Sequence, residues 1–164
     1  MRFPYLLASL QCCRRGRNVS QVQQIASLRE TKVLAGKLAE LPMGTLVLLS
    51  GPLGVGKTTL TQHIAQALAS TAQVSSPTYT LVNEYPTPTG PLVHIDAYRL
   101  GNALALEQLG LDEYLERARL VIVEWGEELL HEFPEAEFLR LDFATTELDD
   151  ERRNVTWVSR QRTA

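Results

Sequence analysis

Gly51-Pro52-Leu53-Gly54-Val55-Gly56-Lys57-Thr58-Thr59 is the stretch on which the reading of this chain turns. Gly51 and Gly56, with four residues between them and Lys57-Thr58 directly after, fill every fixed position of the phosphate-binding pattern GxxxxGK[ST]. Glycines let the backbone bend tightly and bring its N–H groups against phosphate oxygens, and the helix that follows adds its unpaired N-terminal donors. The whole run from Gly51 to Thr59, with Pro52, Leu53, Gly54 and Val55 inside it, is therefore a candidate nucleotide-binding loop. Lys57 is expected to reach the outer phosphates, and the Thr58 hydroxyl to ligate a magnesium ion bridging them.

The flanks agree with the motif. Leu46-Val47-Leu48-Leu49-Ser50 is an apolar run of strand length that ends at the loop, as a buried parallel strand does. After it, Leu60, Ile64, Ala67 and Leu68 share one helical face. Strand, glycine loop and helix predict an α/β fold: a P-loop NTPase-like, mainly parallel sheet flanked by helices.

Upstream, Leu28, Val33, Leu34, Leu38 and Leu41 recur near helical spacing, so a helix is expected from Ser20 or Ser27 to Leu41, stopped by Pro42-Met43-Gly44. Residues 1–20 show no period and read as a disordered basic extension, with residues 21–160 as a single domain.

Downstream, Ser75-Ser76-Pro77-Thr78-Tyr79-Thr80 is rich in hydroxyls and runs into β-formers. Such a segment after the first helix of a phosphate-loop enzyme can sense the terminal phosphate, which makes Thr78 and Thr80 candidates and leaves Ser75, Ser76 and Pro77 to shape the loop. Hydroxyls in turns are also ordinary caps. Leu92 to Leu100 reads as another strand, with His94 and Asp96 on one face. If parallel to the first strand, it brings Asp96 beside the loop, where ligands sit in open α/β sheets. Asp96 is a candidate for the magnesium shell, His94 reads as a hydrogen-bonded core histidine, and Arg99 either stabilises charge or pairs with an acid.

Short helices are expected at Ala103–Leu109 and Asp112–Glu116, the second capped by Asp112. Leu120-Val121-Ile122-Val123-Glu124 is a buried strand that delivers a carboxylate, a form suited to metal coordination or to polarising water. Glu124 and Asp96 are thus the candidate catalytic acids beside Lys57; spacing does not order them by distance from the metal. Trp125 lines the nucleotide pocket or packs. Phe138–Phe143 and Asn154–Ser159 alternate apolar with polar residues and predict a closing antiparallel hairpin across Glu147–Arg153.

The totals bound the function. The chain has 164 residues and a formal net charge of -3, one domain's worth and not the basic balance of a dedicated nucleic-acid binder. Arginines (Arg2, Arg14, Arg15, Arg17) mark its start, whereas acids crowd residues 107–151, as a solvated face or a surface for a basic partner. Cys12 and Cys13 are adjacent and cannot staple a fold, so a reducing cytoplasm fits best. No run approaches the roughly 18 apolar residues of a membrane span.

Four separated pieces, GPLGVGKTTL (Gly51–Leu60), SSPTYTLVNEY (Ser75–Tyr85), HIDAYRL (His94–Leu100) and VIVEWGE (Val121–Glu127), closely resemble the TsaE, or YjeE, family of ATPases in order and interval. The similarity spans about residues 28–160, and the last three pieces are far more specific than the phosphate loop. The resemblance implies a small P-loop ATPase that acts with the TsaD and TsaB proteins. Together they attach a threonylcarbamoyl group to the adenosine next to the anticodon of tRNA, with TsaD as the transferase. By position it implies Thr58 and Glu124 at the metal, Asp96 as the acid of an H-x-D-x-Y-R motif, and Thr78 and Thr80 in a switch-like segment. Pro52 departs from the acidic or small polar residue frequent there. The arginine-rich start departs too.

Three other functions compete. A small P-loop kinase usually needs arginines in a lid, and they are scarce between Arg99 and Arg140. A GTPase needs an Asn-Lys-x-Asp reader, but Lys32, Lys37 and Lys57 are the lysines and none follows asparagine. A nucleotide-gated, non-catalytic binding module fits every motif. Hydrolysis of ATP by in-line water attack, weak alone and raised by a partner, is the leading expectation.

Overall fold

Alternate residues of the central strands enter two separate cores, which is why those strands read as unbroken apolar runs. The computed structural model describes residues 19–98, 100, 105, 108–126, 138–146 and 149–160. Its strands are β1 (Val19–Ile25), β2 (Thr45–Ser50), β3 (Val82–Tyr85), β4 (Leu92–Asp96), β5 (Leu120–Glu124), β6 (Phe138–Thr146) and β7 (Asp149–Arg160). Helices α1 (Leu28–Ala39), α2 (Lys57–Ala67) and α3 (Leu111–Arg117) flank them.

The seven strands form one sheet in the order β1-β7-β6-β2-β5-β4-β3. Strands β6, β2, β5 and β4 are parallel. β3 joins β4 antiparallel at one edge, and the β6–β7 hairpin, extended by β1, closes the other side antiparallel. The expected fold class is the one observed. On one face Val47, Leu49, Leu120, Ile122 and Leu141 pack against Leu34 and Leu38 of α1 and Leu60 and Ile64 of α2. On the other, Leu46, Leu48, Val93, Ile95, Val121 and Val123 pack against Leu111, with Tyr114 and Leu115 of α3 alongside.

α1 starts at the second of the two serines considered. Ser27 accepts from the Glu30 N–H (3.3 Å) while Glu30 Oε2 accepts from the Ala26 N–H (2.6 Å), a reciprocal arrangement close to a capping box. Its far end is held by Arg119, whose guanidinium donates to the carbonyls of Ala39 and Leu41. Partial burial pulls the pKa of that guanidinium down.

Four local expectations need correction. Val19–Ile25, part of it expected as helix, is a strand, because the backbone of β7 offers it a partner over its whole length. β4 stops at Asp96, four residues short of the expected end. α3 is capped by Gly110 in the left-handed region (φ 78°), which puts Asp112 inside the first turn. β7 begins at Asp149, so the hairpin turn is shorter than Glu147–Arg153. Residues 1–18, Arg99 and most of the Ala103–Leu109 helix lie outside the described residues.

Candidate functional site: a glycine-rich loop faced by two carboxylates

β2 delivers the chain to the loop at the carboxyl edge of the sheet, and α2 carries it away. Gly51 has a φ of 130°, and a Cβ there would sit 2.4 Å from the Phe143 carbonyl oxygen, so the loop can seat on β6 with glycine and not with a larger residue. Gly56 (φ 108°) turns the chain into α2 as its N-cap.

Lys57 is buried and lies back across its own loop. Its Nζ donates to the carbonyls of Gly51 (2.7 Å) and Pro52 (3.0 Å) and sits 4.1 Å from the centroid of the Trp125 ring. Trp125 is held there by backbone in the left-handed region, φ 61°, with its main-chain N–H donating to the Leu49 carbonyl (3.2 Å). Tyr98 meets the same ring edge-on at 5.5 Å.

The carboxylates arrive from neighbouring strands. Parallel pairing sets Asp96 of β4 opposite Glu124 of β5, and Glu124 opposite Leu49 of β2. The two-residue period then turns His94, Asp96 and Glu124 to the face covered by α2. Glu124 Oε1 accepts from the Thr58 hydroxyl (3.2 Å) and lies 2.9 Å from His94 Nε2. A carboxylate only accepts, so His94 Nε2 is the donor of this bond. His94 is the buried, hydrogen-bonded histidine expected, and Glu124 is its partner. Asp96 Oδ1 accepts from the Tyr98 N–H (3.0 Å), an Asx turn that ends β4.

A cavity of about 660 Å³ opens over these groups, within the range of small-molecule sites. The loop and α2 contribute Leu53, Gly54, Gly56, Lys57, Thr58 and Thr59; the ends of β4 and β5 and the residues just after them contribute Asp96, Tyr98, Glu124 and Trp125; Ser76 and Thr78 close a third side. Ser76 and Thr78 are joined by their hydroxyls at 2.8 Å. Most of the residues picked from sequence are therefore brought together. Gly51, Pro52, Val55 and Thr80 are not among the lining: the first three bend or anchor the loop, and Thr80 donates instead to Asn83 Oδ1 (2.7 Å). Ser76 and Tyr98 were not picked as binders, although Tyr98 is the tyrosine of H-x-D-x-Y-R.

The donors suit a hard cation. Thr58, Glu124 and Asp96 supply one hydroxyl and two carboxylates, the short oxygen set with which magnesium is held when phosphates and waters complete its octahedron. Among the described residues no cluster of three or more acidic, histidine or cysteine side chains forms a dedicated metal cage. Nor is any described helix long and apolar enough to cross a membrane.

Comparison with known proteins gives a consistent result. The family model for "Threonylcarbamoyl adenosine biosynthesis protein TsaE" matches residues 25–155. The tRNA threonylcarbamoyladenosine biosynthesis protein TsaE of Streptomyces coelicolor is 43% identical over 128 residues, 75% of this chain and 86% of that protein. The TsaE protein of Bacillus subtilis is 36% identical over 131 residues, 79% and 80% of the two chains. The crystal structure of the Bacillus protein YdiB superposes with a TM-score of 0.71 at 30% identity, covering 88% of each chain.

Proposed function

The chain belongs to the TsaE family of threonylcarbamoyladenosine biosynthesis proteins, and from that premise we propose that it is a magnesium-dependent ATPase serving this tRNA modification with TsaD and TsaB. The modified base is the adenosine next to the anticodon, and TsaD, not this chain, carries out the transfer. tRNA contact is indirect in this reading, and the location is cytoplasmic, where tRNA and ATP are.

One observation carries the proposal: Thr58, at the magnesium position of the phosphate loop, shares a hydrogen bond with the strand-end carboxylate Glu124 at 3.2 Å. A loop hydroxyl and a strand-end acid in contact are the two protein ligands a nucleotide-bound magnesium needs. Bound magnesium supplies neutralisation of the charge on the phosphate oxygens.

The remaining work falls to the chain's own groups. The loop amides and the α2 N-terminus cradle the phosphates. Lys57 would leave the carbonyls of Gly51 and Pro52 and the face of Trp125 to reach the outer phosphates, while Glu124, oriented by His94, and Asp96 would hold the magnesium and orient the attacking water. Thr78, beside Ser76 at the cavity wall, registers the terminal phosphate. Arginines are scarce between Arg99 and Arg140, which counts against a small kinase, and weak turnover without a partner is the expectation.

The test is ATP and GTP turnover with magnesium, for wild type and Lys57→Ala, alone and with TsaD, TsaB and tRNA. Turnover of ATP that rises with the partners and vanishes in the variant is the expected result. Binding without hydrolysis in both settings would replace the ATPase with a nucleotide-gated binding module.

A further inference from the structure

The closing hairpin does more than complete the sheet: it touches the phosphate loop at two points. On β6, the Phe143 carbonyl lies against Gly51 so closely that a Cβ on Gly51 would stand 2.4 Å from it. On β7, Arg153 extends to the other limb, and its Nε donates to the Val55 carbonyl at 3.2 Å. Arg153 is itself fixed, since its backbone pairs with Ile25 on one side and Thr145 on the other.

Val55 is the residue on which such a bond has most effect. Its side chain is 4% exposed and enters the core, while the next residue, Gly56, lines the cavity. The peptide joining them is trans, like every described peptide. In a planar trans unit the C=O and the N–H point in opposite directions. Holding the Val55 carbonyl on Arg153 therefore holds the Gly56 N–H on the side away from Arg153, in a residue that lines the cavity. Gly56, at φ 108°, has the freedom to let that peptide rotate if nothing restrains it.

We propose that Arg153 is a positioning residue for the phosphate cradle: through Val55 it fixes the orientation of the Gly56 amide that receives phosphate. This rests on the reading of the loop as a nucleotide-phosphate site. Arg153 was not recognisable in the sequence, because 98 residues separate it from Val55. In this role it acts on the amide and not on the terminal phosphate, so ATP and ADP feel its loss alike.

The experiment compares ATP and ADP affinity by calorimetry for wild type, Arg153→Ala and Arg153→Lys, with the ¹⁵N shift of the Gly56 amide and the melting temperature of each protein. The expected result is a loss of about tenfold for both nucleotides in Arg153→Ala, about the worth of one ordered amide–phosphate contact. The Gly56 resonance shifts or broadens in the same variant, and Arg153→Lys, which keeps a donor, recovers part of both effects. Unchanged affinity with an unchanged Gly56 resonance overturns the proposal. So does a loss confined to ATP, which would put Arg153 on the terminal phosphate itself. If Arg153→Ala does not fold, Arg153→Met, which keeps about the length of the side chain but has no donor, takes its place and decides by the same two readouts. Wild-type protein that binds neither nucleotide overturns the phosphate-site reading beneath it, an outcome visible before any variant is compared.

Discussion

His94 Nε2 lies 2.9 Å from Glu124 Oε1, and both side chains are buried. The same oxygen also accepts from Thr58, so the histidine fixes the carboxylate from behind while the loop hydroxyl meets it from the front. Glu124→Gln keeps an acceptor for both partners but removes the charge. It is expected to fold normally, bind nucleotide, and lose about 10²–10³ in turnover. His94→Phe leaves Glu124 in place without its orienting donor, and about 10- to 100-fold is expected, the scale of partners behind a metal ligand. Steady-state hydrolysis with parallel nucleotide-binding measurements checks both, and an inactive variant that also fails to bind ATP would overturn the assignment.

Gly51 is expected to tolerate no side chain. Alanine there would need a φ of 130° and would drive its Cβ to 2.4 Å from the Phe143 carbonyl. The strained backbone alone is worth about 1–3 kcal/mol, and the clash adds to it. Gly51→Ala should therefore lower the denaturation midpoint as well as nucleotide affinity. A variant with wild-type stability would mean that the loop moves away from β6 without resistance.

Arg117 and Glu84 form a two-pronged pair at 2.7 and 2.6 Å that ties α3 to the edge strand β3. The hydrogen bonds from the guanidinium hold the Glu84 carboxyl below its usual range, against a smaller opposing effect of desolvation. The same contact raises the pKa of Arg117, which stays charged throughout. A carboxylate with a lowered folded pKa stabilises fully above its ordinary value, about 4.3, and the contribution fades as pH falls through the lowered one. Arg117→Gln should thus melt slightly below wild type at neutral pH, with the gap closing as pH falls through the lowered Glu84 pKa and narrowing in about 1 M salt. A gap that widens in acid would contradict the pairing.

How far these features were legible follows from how local they are. β2, β4 and β5 were readable because both of their faces are buried and their apolar runs are unbroken. That Lys57, Thr58, Asp96 and Glu124 line one cavity was readable because each sits at a fixed place relative to a strand end. β1 was not: Val19–Ile25 is an edge strand whose Ser-Gln-Val-Gln-Gln pattern carries little apolar signal, and its conformation is set by β7, more than a hundred residues away. Arg153 on Val55 was hidden for the same reason. Thr80 shows the opposite failure, a hydroxyl in the right segment but tied off by Asn83.

That tie belongs to a clamp centred on Tyr85. Its phenol accepts from the Ser75 N–H (3.2 Å) and from Asn83 Nδ2 (3.1 Å) and donates to the Ser75 carbonyl (2.9 Å). With Thr80 on Asn83, both ends of the 75–80 segment are fastened to β3, and the stretch between them sets Ser76 and Thr78 on the cavity wall. Tyr85→Phe removes the phenol's three bonds, leaving the Asn83 contacts to Thr80 and Ser75, without emptying the core that the ring fills. Ser75 is exposed enough for water to replace its lost partner, so the stability change should stay near 1 kcal/mol. The functional change should be selective. If Thr78 registers the terminal phosphate, loosening its segment weakens ATP by about two- to tenfold and leaves ADP close to wild type. Titration of both nucleotides against Tyr85→Phe checks this. Equal weakening of the two would mean that the segment shapes the cavity without sensing the phosphate that distinguishes them.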